Sequence, residues 1–209
     1  MLLTSLWETG QMVLVSTVMS VLLGTPLGVL LVITSPDHLW PQRLVRQFLS
    51  GFVNIGRSLP FIILMVAIIP FTRLLVGTSI GTKAAIVPLT VAAVPFVARV
   101  VESALSEVDR GVIEAAQAMG ASAWQIVCRV MLPEALPSLV LGVTLTAINL
   151  VGYSAMAGAI GGGGLGDLAI RYGYQRFRGD VMLATVLILL GLVEVLQIIG
   201  DRLSRMMRH

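Results

Sequence analysis

Few residues in this chain could carry catalytic chemistry, and their spacing speaks against it. Two histidines, His38 and His209, and one cysteine, Cys128, are too few and too scattered for a metal or multi-thiolate site. No H-E-x-x-H pair occurs, nor a G-x-x-x-x-G-K-[ST] loop that would cradle a nucleotide phosphate. The nearest approach to a serine nucleophile elbow, Gly152-Tyr153-Ser154-Ala155-Met156, has methionine in place of the second glycine. Three features remain. Arg57 is a lone charge in a long apolar run, which makes it a functional-site candidate by default. Otherwise it is a charge near the end of a shorter span, pairing with Glu102, Glu107 or a backbone carbonyl. The stretch from Gly152 to Gly166 holds seven glycines around Met156. Such a backbone can open and reclose, and an unbranched thioether can plug an irregular constriction. The plainer alternatives are packing or lipid contact for Met156 and a flexible external loop for the glycines. The third feature is an ionic segment around Glu114.

The elements that must position these residues follow from composition. Of 209 residues, 56% are hydrophobic and only 12% charged, with a mean hydropathy of +0.94. Soluble domains carry about 25% charged residues, so the chain is expected to be an integral membrane protein, one unit over 1–209. The net charge of +3 does not point to nucleic acid, because the basic residues are scattered between apolar runs rather than interleaved with aromatics on one face. The first apolar run lacks a basic leader, has Glu8 as its only early charge and is too long for a signal-peptide core.

Charges mark the boundaries of five expected spans, near residues 9–36, 48–71, 82–101, 137–159 and 181–200; about 20 apolar residues suffice to cross the hydrocarbon. Five spans place Arg43, Arg46, Arg99, Arg110, Arg129, Arg202, Arg205 and Arg208 on one side. Arg73, Lys83, Arg171, Arg176 and Arg178 fall on the other. The excess of positive charge puts the first set, and the C-terminus, in the cytoplasm and the N-terminus outside. Gly24, Pro26, Gly28, Pro60, Pro88 and Pro95 interrupt the spans. Membrane helices tolerate such breakers where packed neighbours or an aqueous cavity satisfy the freed backbone groups.

The ionic segment between the third and fourth spans is too short to cross. Asp109 can cap a helix beginning at Arg110, and Gly120 suits the left-handed position that ends one. Val112, Ala116 and Met119 lie at i, i+4 and i+7, forming one apolar edge. Ser122 and Gln125 match a capping box that starts a second short helix, which Leu132-Pro133 should stop. Two short helices at an angle, over 109–133, suit docking into a groove on a soluble partner.

Glu114-Ala115-Ala116, then Gly120, then Leu132-Pro133 resemble the EAA motif of the inner-membrane permeases of ABC importers. Val130 stands where that motif usually has isoleucine. Arg57-Ser58-Leu59-Pro60-Phe61-Ile62, Ile69-Pro70-Phe71-Thr72-Arg73, Val76-Gly77-Thr78-Ser79-Ile80-Gly81, Leu150-Val151-Gly152-Tyr153-Ser154-Ala155-Met156 and Gly163-Gly164-Leu165-Gly166 are similar to the methionine-importer branch of that family. Glu194, inside the fifth span, departs from the expected pattern. The resemblance implies an all-α permease of the type I importer kind, with about five membrane helices and a coupling helix between the third and fourth. It makes Val112, Glu114, Ala115, Ala116, Met119, Gly120, Ala121, Leu132 and Pro133 the residues that couple to an ATPase. The closed gate would lie near a homodimer axis at Met156, with Gly152, Tyr153, Ser154 and Gly158 beside it. Partners implied are two copies of an ATPase subunit that holds ATP-Mg, an extracytoplasmic methionine-binding lipoprotein, and the lipid of a bacterial inner membrane. This chain itself would be a permease rather than an enzyme, binding no cofactor, metal or nucleic acid. The alternatives are an importer for another small solute, or a secondary transporter or channel. The latter two tend to show inverted repeats or midplane ion ligands, which are not visible in these letters.

Overall fold

Apolar length dictates the architecture. In the computed structural model, which describes residues 1–36 and 38–207, four helices among the described residues are long and apolar enough to cross a bilayer. They are α1 (Leu2–Ile33), α5 (Thr82–Ser106), α9 (Leu136–Ala157) and α11 (Gly179–Met206). The expected span over 48–71 is not one helix. It is broken into α2 (Arg43–Ser58), α3 (Phe61–Ala67) and α4 (Ile69–Val76), with α2 and α3 bent by 103°. The cause is Pro60, which has no N–H to donate and drives the preceding Leu59 to an extended φ/ψ of −78°/125°. Counting the bent pair as one span brings the total to five. Asp37, Arg208 and His209 lie outside the described residues.

Small residues bring the long helices together, as expected where lipid supplies no hydrophobic drive for helix association. α1 runs parallel to α5, with Ser16 Oγ donating to the Ile86 carbonyl at 3.4 Å. A Cβ on Gly24 would lie 2.8 Å from Val97 Cβ, and one on Gly28 2.6 Å from Ala98 O. α9 runs antiparallel to α5, where a Cβ on Gly142 would meet Val100 Cγ1 at 2.0 Å. α11 lies along the outside of α9 by the Gly200–Thr144 approach and the Ser204 Oγ to Pro137 O bond of 3.1 Å. These pairings gather the starts of α1, α5 and α11 and the end of α9 at one end of the bundle. The other ends of the long helices carry the segment between α5 and α9. One core cluster sits at that second end, around Val101, Leu105, Ile113, Ile126 and Met131. Another, around Met12, Phe61, Leu89 and Leu150, fills the middle. Outward leucines such as Leu14, Leu22, Leu183, Leu187 and Leu190 remain exposed, as a lipid-facing surface requires.

Candidate functional site

The ionic segment folds largely as its letters dictate. Asp109 caps α6 (Arg110–Ala118) by accepting from Gly111 N at 2.7 Å. The helix closes on a Schellman motif, in which Gly120 N donates to Gln117 O at 2.9 Å and Ala121 N to Ala116 O at 3.1 Å. That closure needs the left-handed φ of +80° at Gly120. Ser122 and Gln125 form the capping box of α7 (Ala123–Ile126), with both reciprocal bonds present.

Two expectations need correction here. Val112, Ala116 and Met119 do not form one edge, because Ile113 and Ala116, at i and i+3, turn the inner face into the core with Val101 and Leu105. Ala116 is therefore buried, whereas Val112 is 44% and Met119 81% exposed. Leu132-Pro133 does not stop the second helix either. A wider π-type turn over Val127–Met131 carries it into α8 (Leu132–Glu134) and on to α9. Pro133 follows that π-type turn directly and is accommodated in the first residues of α8. Glu114, Ala115 and Pro133 are exposed, while Ala121 and Leu132 pack partly buried against the core. The outcome is a short helix whose inner face is locked to the ends of α1 and α5 and whose outer face presents Met119 and Val112.

The glycine-dense stretch is a packed hairpin rather than a flexible loop. α9 continues through a π-type turn over Gly158–Gly162, reverses at Gly161, Gly163 and Gly164 with φ of +96°, +81° and +77°, and enters α10 (Gly164–Leu168). A Cβ on Gly158 would lie 2.5 Å from Asp167 N, and one on Gly166 2.2 Å from Ala155 O. Glu8 Oε2 accepts from Gly164 N at 2.7 Å, Thr9 Oγ1 from Leu165 N at 2.9 Å, and Gly161 O from Gly81 N at 2.9 Å. This clamp ties the hairpin to α1 and to the turn before α5. Glu8→Ala is expected to cost about 1–3 kcal/mol, the usual loss for a bond to a charged acceptor, and to speed hydrogen exchange at the Gly164 and Leu165 amides. Glu8→Gln keeps an acceptor and should stay close to the original. Equal exchange in all three proteins would argue against the clamp.

The five residues expected around the gate do not share one cavity. Gly152 and Met156 face outward, Met156 43% exposed. Ser154 turns inward, buried, and its Oγ donates back to Val151 O at 2.7 Å. Gly158 lies under the hairpin backbone. Tyr153 points toward the bend and stacks on Phe61, centroids 4.7 Å apart and planes within 4°.

Arg57 sits in the last turn of α2, exposed. Among the described residues Arg57 pairs with neither Glu102 nor Glu107 nor a backbone carbonyl; Arg99 pairs with Glu102, and Ser138 Oγ donates to Glu107 at 3.2 Å. Arg57 instead lines a cavity of about 140 Å³ together with Tyr153 and Asn149. Asn149 is the residue that reading by sequence missed; an amide in the midst of an apolar span was the signal that could have flagged it.

Among known proteins, the family model described as binding-protein-dependent transport system inner membrane component matches residues 24–209. The chain belongs to this family. Relatives named as permeases are similar over most or all of the chain. The probable D-methionine transport system permease protein MetI of Vibrio cholerae is 54% identical over 209 residues, covering 100% of this chain and 93% of the relative. The methionine import system permease protein MetP of Bacillus subtilis is 47% identical over 175 residues, covering 84% and 79%. A chain of the MetNI methionine ABC transporter in inward-facing conformation superposes with a TM-score of 0.98 at 51% identity, covering 100% and 96%. A chain from an amino acid ABC transporter, 17% identical with a TM-score of 0.80, shares the fold. The fold is that of a type I ABC importer permease, and the resemblance carried by the EAA-type segment holds.

Proposed function

We propose that this chain is the membrane-spanning permease subunit of an ATP-driven methionine importer. It works as a homodimer with two copies of a separate ATPase and receives substrate from an extracytoplasmic binding protein. Five spans are few to enclose a pathway, so the route runs along a two-fold axis between two chains. The N-terminus and the glycine hairpin face outward, and α6 and the C-terminus face the cytoplasm. The single observation that carries this reading is the two-faced α6. Its outer side presents the exposed Met119 and Val112, while its inner side, Ile113 and Ala116, is packed with Val32, Val101 and Leu105.

That arrangement suits a mechanical coupling. An ATPase that grips Met119, Val112 and Glu114 moves α6 as one piece with the ends of α1 and α5, since a close-packed core transmits displacement. Closure of two ATPases around ATP draws the paired α6 helices together and turns the cavity from inward- to outward-facing. Met156, on the outward face of α9, is placed to close the path, and the Gly120, Ala121, Leu132 and Pro133 backbone holds α6 at its angle. ATP-Mg binds and is hydrolysed on the partner.

The test is uptake of labelled L-methionine into proteoliposomes holding this chain, its ATPase and its binding protein. Uptake is expected with ATP and not with a non-hydrolysable analogue. ATP hydrolysis without methionine uptake would discard methionine and keep the importer. Uptake driven by an ion gradient alone would overturn the reading.

A further inference from the structure

The cavity at the bend between α2 and α3 collects three polar side chains that the rest of the chain leaves unused. Arg57, Asn149 and Tyr153 line it, and none of the three makes a side-chain hydrogen bond or ion pair among the described residues. Thr146, in the same lining, donates to Gly142 O at 2.8 Å instead. Phe61, Phe96 and Leu150 complete the walls. An ionisable side chain within a membrane-spanning region is a functional-site candidate by default.

The site is built and not incidental. Gly56, next to Arg57, is pressed on Pro95 so closely that a Cβ there would lie 2.5 Å from Pro95 Cγ. One turn earlier, Asn54 Oδ1 accepts from Arg99 at 3.2 Å. On the far side, the Phe61 stack fixes the Tyr153 ring. Asn149, Gly152 and Met156 fall at i, i+3 and i+7 on the exposed face of α9, so the cavity lies roughly 10 Å of helix beyond Met156.

We propose that Arg57, Asn149 and Tyr153 form a station in the translocation path that recognises the α-carboxylate of a zwitterionic amino acid. The guanidinium presents a planar fork matched to a carboxylate. The Asn149 amide oxygen and the Tyr153 hydroxyl accept from the α-ammonium, and Phe61, Phe96 and Leu150 take an unbranched apolar side chain. This deepens the importer reading above and rests on it.

The test uses the assembled complex in lipid nanodiscs, irradiated with the free diazirine analogue of methionine and mapped by peptide mass spectrometry. Labelling is expected on the segments holding Phe61, Phe96 and Leu150. It should be competed by L-methionine and at least tenfold less well by L-methioninol, which has an alcohol in place of the carboxylate. Arg57→Gln should lower labelling at least tenfold, Arg57→Lys less, and Tyr153→Phe, which keeps the stack, a few-fold. Equal competition by methioninol, or full labelling of Arg57→Gln, overturns the proposal. If Arg57→Gln fails to co-purify with its ATPase, the methioninol comparison on the wild-type complex still decides. Methionine uptake by the wild type without labelling here sinks this inference alone. Labelling with competition, in a complex that hydrolyses ATP but takes up no methionine, discards methionine as the cargo and leaves the carboxylate site standing.

Discussion

A Met119→Asp permease is expected to insert and fold, yet to lose at least tenfold of its ATP-driven uptake. Met119 is the C-cap of α6 and projects into solvent, so nothing inside the chain depends on its side chain. The intramolecular penalty is small, because a carboxylate near a helix C-terminus costs about 0.3–1 kcal/mol. The intermolecular penalty is large. An apolar residue at the centre of a docked face commonly contributes 2 kcal/mol or more, and a buried unpaired charge in its place adds several more. Each 1.4 kcal/mol is tenfold in affinity. Uptake and co-purification with the ATPase should therefore fall together while thermal unfolding of the isolated permease hardly moves. Ile113→Ala is the contrasting case. Ile113 is buried on the opposite side of α6, so its truncation should lower stability by about 2–5 kcal/mol. Wild-type uptake by Met119→Asp would remove α6 from the coupling role.

Gly28→Val should be the most damaging single change to the fold itself. A Cβ at Gly28 would sit 2.6 Å from the Ala98 carbonyl and 2.6 Å from Val101 Cβ, and a carbonyl cannot swing aside as a side chain can. α1 and α5 would have to separate along their shared parallel interface, opening the core around Val97 and Val101. Overpacking of this kind costs about 1–3 kcal/mol, occasionally more, and the backbone contact puts this case at the upper end. Gly191→Ala on α11 is the control, since an added methyl there meets nothing within 4 Å; it should be neutral or slightly stabilising. Denaturant titration in mixed micelles would compare the two. Equal midpoints would mean that the close α1–α5 approach contributes little to stability.

Local rules made the helical membrane character and the capped α6–α7 pair legible from the letters, because hydropathy over about 20 residues and capping chemistry act between near neighbours. Asp109, Gly120, Ser122 and Gln125 do in the structure what their types require. The bend at Pro60 was visible as a breaker but not as a 103° turn, since the angle depends on what α3 packs against. Which face of α6 turns inward was also undecided by periodicity. Val112 and Ile113 are equally apolar, and the ends of α1 and α5 chose Ile113. The glycines between 152 and 166 could as well have been a loop. Contacts from Glu8 and Thr9, some 156 positions away in the chain, make them a clamped hairpin. Arg57, Asn149 and Tyr153 meet only because Pro60 bends one segment toward α9. Near-neighbour physics determined the elements, and packing between distant elements decided which faces and side chains meet, because such contacts leave no periodic mark in the sequence.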